Sequence, residues 1–176
     1  MSAAGDSPAS PTHPFADAGH DHARCVSEAL EAAARLCARR GARLTTLRRR
    51  VLELVWGSHA PQGAYAILET LHRDGRRAAP PTVYRALDFL LGHGLIHRIE
   101  SLNAFVGCPA PGRPHVGQFL ICSACGCAAE LDDRRIGVAI RDSAGKAGFR
   151  LEGQTIELRG LCPRCQNGRG DGRDAA

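Results

Sequence analysis

Apolar residues recur at helical spacing through most of the first half of the chain. From Cys25 to Arg40 the set Val26, Leu30, Ala33, Ala34 and Cys37 predicts one helix, which Gly41 ends. A second helix is predicted from about Thr45 to Gly57, with Leu47, Val51, Leu54 and Val55 on one face. Its Arg48-Arg49-Arg50 triplet reads equally as a solvated face or as a phosphate-contacting one. A third helix has Ala64 near its start and Tyr65, Leu68 and Leu71 at helical spacing. In the run Pro80-Pro81-Thr82-Val83-Tyr84-Arg85 the prolines interrupt the preceding loop, and Thr82 can cap or open the next helix. Val83, Leu87, Leu90 and Leu91 form its buried stripe, so Tyr84, Arg85 and Asp88 face away from the core.

The pattern then shortens. Leu95–Glu100 and Asn103–Gly107 read as two strands joined through Ser101-Leu102. Helices followed by such a hairpin predict a winged helix-turn-helix over 25–107, whose last helix enters the DNA major groove N-terminus first. Residues 108–114, Cys-Pro-Ala-Pro-Gly-Arg-Pro, hold three prolines and read as a hinge. Beyond it, Gly117–Cys122, Cys127–Glu130, Phe149–Leu151 and Gln154–Leu158 suggest strands, and Arg134–Gly148 a helix. The fold class is therefore mixed α/β (α+β), with a small C-terminal α/β domain over 115–168. A unit this small needs metal or a second copy to stabilise it. Residues 1–24 and 169–176 lack periodicity and read as disordered tails, with His20-Asp21-His22 a solvated stretch rather than a metal site.

Charge sharpens this picture. The net charge is +5, and residues 25–107 hold 12 Arg against 7 acidic residues. A basic excess in the helical half is compatible with a nucleic-acid partner. No apolar run is long enough to span a bilayer, and no signal peptide is readable, so a cytoplasmic protein without a membrane partner is expected.

The eight cysteines carry the strongest chemistry. In a reducing compartment they read as metal ligands or free thiols rather than disulfides. Cys25 and Cys37 read as small apolar packing residues. Cys122-x-x-Cys125 and Cys162-x-x-Cys165 each make two thiolates converge, and two such pairs form a tetrahedral sulfur site suited to zinc. An iron–sulfur cluster would use the same ligands. The 36-residue gap between the pairs requires a folded domain to bring them together. Cys127 falls outside the spacing and has no assigned role: it either faces the other side of a strand or competes as a ligand. No local motif joins His97, Cys108, His115 and Glu130, but all four lie around the joint between the two predicted domains. A metal held there would fix the angle between them.

Several segments together resemble the Fur family of metalloregulators. They are Pro81-Thr82-Val83-Tyr84-Arg85-Ala86-Leu87-Asp88-Phe89-Leu90, Gly94-Leu95-Ile96-His97-Arg98, Phe119-Leu120-Ile121-Cys122-x-x-Cys125-Gly126, and Gly160-Leu161-Cys162-x-x-Cys165. The likeness covers about residues 25–166, and the stretch from Pro80 to Leu91 is most similar to the zinc-uptake-regulator branch. The resemblance implies a structural zinc at Cys122, Cys125, Cys162 and Cys165. It implies a regulatory zinc at His97, Cys108, His115 and Glu130, which makes two ions per subunit. The implied assembly is a homodimer formed by the C-terminal domain. The implied activity is zinc-dependent repression at AT-rich inverted repeats in double-stranded DNA, at genes of zinc uptake and homeostasis. Iron-sensing relatives usually carry a His-rich run before the first cysteine pair. Here Pro114-His115-Val116-Gly117-Gln118 has one histidine, so no third, His-rich site is expected.

The donor chemistry favours the same branch. One thiolate, two imidazoles and one carboxylate suit tetrahedral zinc, whereas iron(II) or manganese(II) would draw more nitrogen and oxygen ligands. Four protein ligands leave no open position for a bound water, so neither catalysis nor a small-molecule substrate is expected. Tyr84 and Arg85 are candidate DNA readers, Thr82 another DNA contact, and Tyr65 either a phosphate contact or a core residue. The rival readings are a Fur-type sensor of iron, manganese or peroxide, a zinc-stabilised interaction module without sensing, and, remotely, a zinc hydrolase.

Overall fold

In the computed structural model, Phe15, residues 21–113 and residues 115–168 are described. The predicted disordered tails therefore lie mostly outside the described residues, as does His20. The first helix, α1 (His22–Arg39), starts earlier than its apolar spacing suggests. The cause is Asp21, whose carboxylate accepts the Arg24 backbone N–H and caps the first turn. Residues 22–24, expected in a loose tail, are helical.

Helices α2 (Thr46–Trp56) and α3 (Ala64–Arg73) follow, separated by a two-residue strand, β1 (Gln62–Gly63). Helix α4 (Pro80–Gly92) begins two residues before Thr82. Ala79 is its N-cap and Pro80 its first residue, because a proline lacks the N–H that would go unsatisfied there. Thr82 is therefore inside the first turn and is not the cap. Val51, Leu52, Val55, Ile67, Leu71, Val83, Leu87 and Leu90 close a single core among these helices.

Strands β2 (Ile96–Ile99) and β3 (Ala104–Gly107) pair antiparallel, and β1 adds to the other side of β3. The connection between β2 and β3 is a 3-10 turn over Glu100–Leu102, closed by Asn103 in the left-handed region at φ 47°. Asn103 is therefore outside the strand in which its sequence context suggests it. The result is a helical layer with a β-hairpin wing.

The second sheet has the order β5-β4-β6, from β4 (Gly117–Cys122), β5 (Ala128–Glu130) and β6 (Thr155–Gly160). β4 runs antiparallel to β5 and parallel to β6. A parallel pair needs a crossover, and α5 (Arg134–Lys146) provides it. Asp133 caps α5 by accepting the Arg135 N–H. Phe149–Leu151, expected as a strand, forms none: it has no ladder partner among the described residues. A four-residue helix, α6 (Pro163–Gln166), ends the described fold and was not anticipated. Among the described residues, no helix is long and apolar enough to cross a membrane.

Ile99 of β2 and Val106 of β3 pack with Phe119 and Ile121 of β4, so the wing and the second sheet share a small apolar cluster. A backbone hydrogen bond from the Ala128 N–H to the His59 carbonyl, 3.0 Å, adds a second contact between the halves.

Candidate metal centres

The first centre lies where β2, the segment after β3, the start of β4 and the end of β5 meet. His97 Nε2 and His115 Nε2 stand 3.0 Å apart, and Cys108 Sγ lies 3.5 Å from His115 Nε2. Glu130 places one oxygen 2.9 Å from His115 Nε2 and the other 3.4 Å from His97 Nε2. All four donor atoms fall within 4.8 Å of one another. Cys108 is buried, and the Glu130 side chain is only 8% exposed. A buried carboxylate is costly unless paired. The oxygens of Glu130 receive no conventional hydrogen bond from the described residues and face only the two imidazoles.

Two Nε2 atoms facing each other beside a thiol and an otherwise unsupported carboxylate are donors aimed at a common point. This set fits a tetrahedral divalent cation of zinc's preferences. The His115 ring is held by a bond outside the set, its Nδ1 lying 2.7 Å from the Arg113 carbonyl. Donation there leaves Nε2 free of its proton and available as a ligand. Burial opposes a charge on His97, but Cys108 and Glu130, as neighbouring acceptors carrying negative charge, outweigh it and raise its pKa to about 9. His97 and His115 also line an open cleft of about 380 Å³ together with Phe119.

The second centre is made of sulfur. Parallel pairing of β4 with β6 sets Cys122 opposite Gly160, two residues before Cys162. This register closes the 36-residue gap between the two cysteine pairs. Between Cys122 and Cys127 the chain reverses through Gly126, whose φ of 74° suits glycine. The Cys122 N–H donates to the Cys127 carbonyl at 2.9 Å, and the Gly126 N–H to the Cys122 carbonyl at 3.0 Å. Ser123 ties the turn to β6 through both its backbone N–H and its hydroxyl on the Gly160 carbonyl.

Cys125 Sγ lies 3.8 Å from Cys162 Sγ, and the Cys162 N–H donates to Cys122 Sγ at 3.3 Å. Burial disfavours the Cys122 thiolate, but N–H groups of Cys162, Cys125 and Ala124 outweigh it and lower its pKa to about 6. A buried group of thiols with one already biased toward thiolate fits a soft tetrahedral cation. The tightest group is Cys122, Cys125, Cys127 and Cys162, while Cys165 packs against it from α6. Cys127, left without a role by its spacing, is thus in the cluster. The Cys125-Gly126-Cys127 spacing was the available signal, and the reversal at Gly126 is what turns both thiols inward. Cys37 is buried in the helical core, as its spacing suggests, and Cys25 is half-buried.

The candidate DNA-facing residues sit together on the helical half. Tyr65, at the start of α3, is 71% exposed and so is not a core residue. Thr82 and Arg85 on the first turns of α4 are exposed, and Tyr84 is 42% exposed. The arginine triplet divides: Arg50 is paired with Glu53 and Asp74, and Arg48 bonds the Arg43 carbonyl and covers the Phe89 ring. Only Arg49 of the three is exposed.

Four helices with a hairpin wing, joined to a small sheet through a cluster of metal-binding side chains, define a winged-helix protein with two candidate metal centres. The ferric uptake regulator family model matches residues 39–159. The zinc uptake regulation protein of Escherichia coli (strain K12) is 40% identical over 141 residues, which is 80% of this chain and 82% of that protein. A solved zinc uptake regulator complexed with zinc and DNA has a TM-score of 0.76 at 38% identity, covering 81% of this chain and 95% of that one. Holo XcZur has a TM-score of 0.74 at 42% identity, covering 81% and 99%. The chain belongs to the ferric uptake regulator family.

Proposed function

We propose that this protein is a zinc-responsive transcriptional repressor that acts as a homodimer on double-stranded DNA. One observation carries the reading: His97, Cys108, His115 and Glu130 come from four segments and converge at the joint of the two halves. Zinc there ties the wing to the second sheet. A second zinc at Cys122, Cys125, Cys162 and Cys165 holds the C-terminal unit together, giving two ions per subunit. The division into a winged helix over 25–107, a hinge over 108–114 and a dimerisation unit over 115–168 is part of the proposal. The shared Ile99–Phe119 cluster supports a joint that bends about a packed contact.

Without metal the joint samples many angles, so few molecules have both α4 helices correctly spaced for two half-sites. Metal narrows that set and raises apparent affinity by population shift. Arg85 and Tyr84 reach base edges, while Thr82 and Tyr65 support them at the backbone. AT-rich inverted repeats at zinc-uptake genes are the targets. Four protein ligands at each centre leave no open position, so the reading includes no enzymatic activity. A DNA partner places the protein in the cytoplasm.

Likeness to regulators named for zinc uptake, one solved with zinc and DNA, supports zinc over iron or manganese. So does the thiol of Cys108 within the joint set. The test is fluorescence anisotropy on a labelled AT-rich inverted repeat at fixed salt. The joint site is stripped, and buffered zinc is compared with buffered iron(II). Zinc should drive tight binding at far lower free concentration. Equal response to iron(II) would refute the zinc assignment, and indifference to both metals would refute metal gating.

A further inference from the structure

Five thiols surround a centre that has room for four. Among the described residues, the four Sγ atoms within 4.8 Å of one another belong to Cys122, Cys125, Cys127 and Cys162. The two-pair spacing instead selects Cys165 as the fourth. Cys125 Sγ and Cys127 Sγ are 3.2 Å apart, closer than the 3.8 Å between Cys125 and Cys162.

The two competing residues are held differently. Cys127 is buried, and its carbonyl accepts the Cys122 N–H across the turn, so its backbone is fixed by the same knuckle that positions Cys122. Cys165 is half-exposed on α6, a helix of four residues near the end of the described fold. Short terminal helices fray readily. The thiol on the rigid element is thus the spare one by spacing, and the thiol on the loose element is the regular ligand by spacing.

We infer that Cys127 is a reserve ligand of the sulfur centre, sharing one coordination position with Cys165. This rests on the zinc reading of that centre given above. When Cys165 leaves with α6, Cys127 takes its place, so four sulfurs stay on the ion. In that exchange one metal–sulfur bond forms and one breaks. Cys127 gives its proton to solvent, Cys165 takes one up, and no electrons are transferred. The consequence is a centre that keeps its ion while its C-terminal clip opens.

The test uses cobalt(II) as the probe ion in full-length protein carrying Cys108→Ser, so that only the sulfur centre contributes thiolate-to-cobalt absorption. That absorption scales with the number of bound thiolates. Cys165→Ser and Cys127→Ala, each added singly, should leave its intensity unchanged. The two together should lower it by about one quarter, the loss of one ligand in four, and should speed transfer of the ion to a chelator. Two results overturn the inference: a full loss of intensity or of fold with Cys165→Ser alone, or an unchanged intensity in the double variant. If the parent protein shows no four-thiolate spectrum, the zinc-centre reading itself falls and takes this inference with it.

Discussion

The carboxylate of Glu157 accepts a 2.7 Å hydrogen bond from the backbone N–H of Glu100, 57 residues away in the chain. The Ser101 N–H reaches the same carboxylate at 3.3 Å. Glu157 lies on β6 and Glu100 at the tip of the wing, so the contact joins the wing to the second sheet. Burial opposes ionisation of Glu157, but the bonds from Ser101 and Glu100 and the charge of Arg159 outweigh it and hold its pKa below the ordinary value. A group whose pKa is depressed on folding contributes stability above its unfolded value and loses it as pH falls through the folded one. Glu157→Gln should therefore cost about 0.5–1 kcal/mol near neutral pH, discounted for solvent exposure. The difference should vanish once the pH falls well below about 4, the ordinary carboxylate range. Urea denaturation of both proteins at several pH values checks this. A pH-independent difference would mean that the ionised carboxylate is not what holds the wing.

Gly107 precedes Cys108 and lies against the Trp56 indole. A Cβ at Gly107 would fall inside that ring. Trp56 is packed against the helical core. Gly107→Ala should destabilise the protein by about 1–3 kcal/mol, the usual cost of overpacking. Trp56 is the only tryptophan in the chain, so its fluorescence reports the unfolding directly. The denaturation midpoint should fall while the denaturant slope stays constant. A change under about 0.5 kcal/mol would mean that the indole swings aside at little cost, as surface substitutions do.

Much of this was legible in the sequence because it is periodic or closely spaced. Helical spacing located α1 to α4, short runs between turn residues located β2, β3 and β4, and the two Cys-x-x-Cys pairs contain three of the four closest thiols, Cys122, Cys125 and Cys162. What escaped is non-local. β1 is two residues long and exists only because β3 offers it a partner. Glu157 is a lone acidic residue in a strand until the 3-10 turn arrives beside it. His97, Cys108, His115 and Glu130 have no joining motif, and their grouping came from family likeness and position before the distances. Of the two roles open to Thr82, capping falls to Ala79 because Pro80 already starts the helix, and Thr82 lies in its first turn.

Arg85 sits on the second turn of α4, exposed. If it reads a base edge, Arg85→Ala should narrow the gap between operator and scrambled DNA by about 1–3 kcal/mol, or roughly tenfold or more. Anisotropy titrations with both duplexes at matched salt measure it. An equal loss on both would make Arg85 a phosphate contact instead.

The C-terminal unit leaves an apolar face without a partner in one chain. Phe149 is 64% exposed, Leu161 50%, Val138 49% and Leu158 46%. β6 is an edge strand, so one row of its backbone groups is unpaired within the sheet. Phe149–Leu151 has strand-like sequence and no ladder among the described residues. All three facts are explained if a second copy covers this face, since exposed apolar area of this kind marks an interface. Phe149→Asp should shift the protein from dimer toward monomer at micromolar concentration, as read by light scattering. An unchanged mass would move the interface elsewhere.

Cys108 separates the two metal centres because it is the only thiol of the joint set. It is buried, 3.5 Å from His115 Nε2, and remote in sequence from the five clustered cysteines. Cys108→Ser replaces a soft ligand by a hydroxyl that binds zinc weakly. The variant should keep the zinc of the sulfur centre and lose the joint zinc, which lowers zinc content from two ions per chain to one. Zinc-dependent DNA binding should weaken at least tenfold, while metal-independent binding should stay as it was. Losses of ten- to a hundredfold are common even for residues that only support a ligand. Elemental analysis and anisotropy on the same samples give both readings. If DNA binding falls but zinc content does not, Cys108 acts through packing beside Gly107 and not through the metal. If zinc content falls and DNA binding persists, the joint zinc is not the signal, and the angle between the halves is set by the Glu157 contact and the Ile99–Phe119 cluster instead.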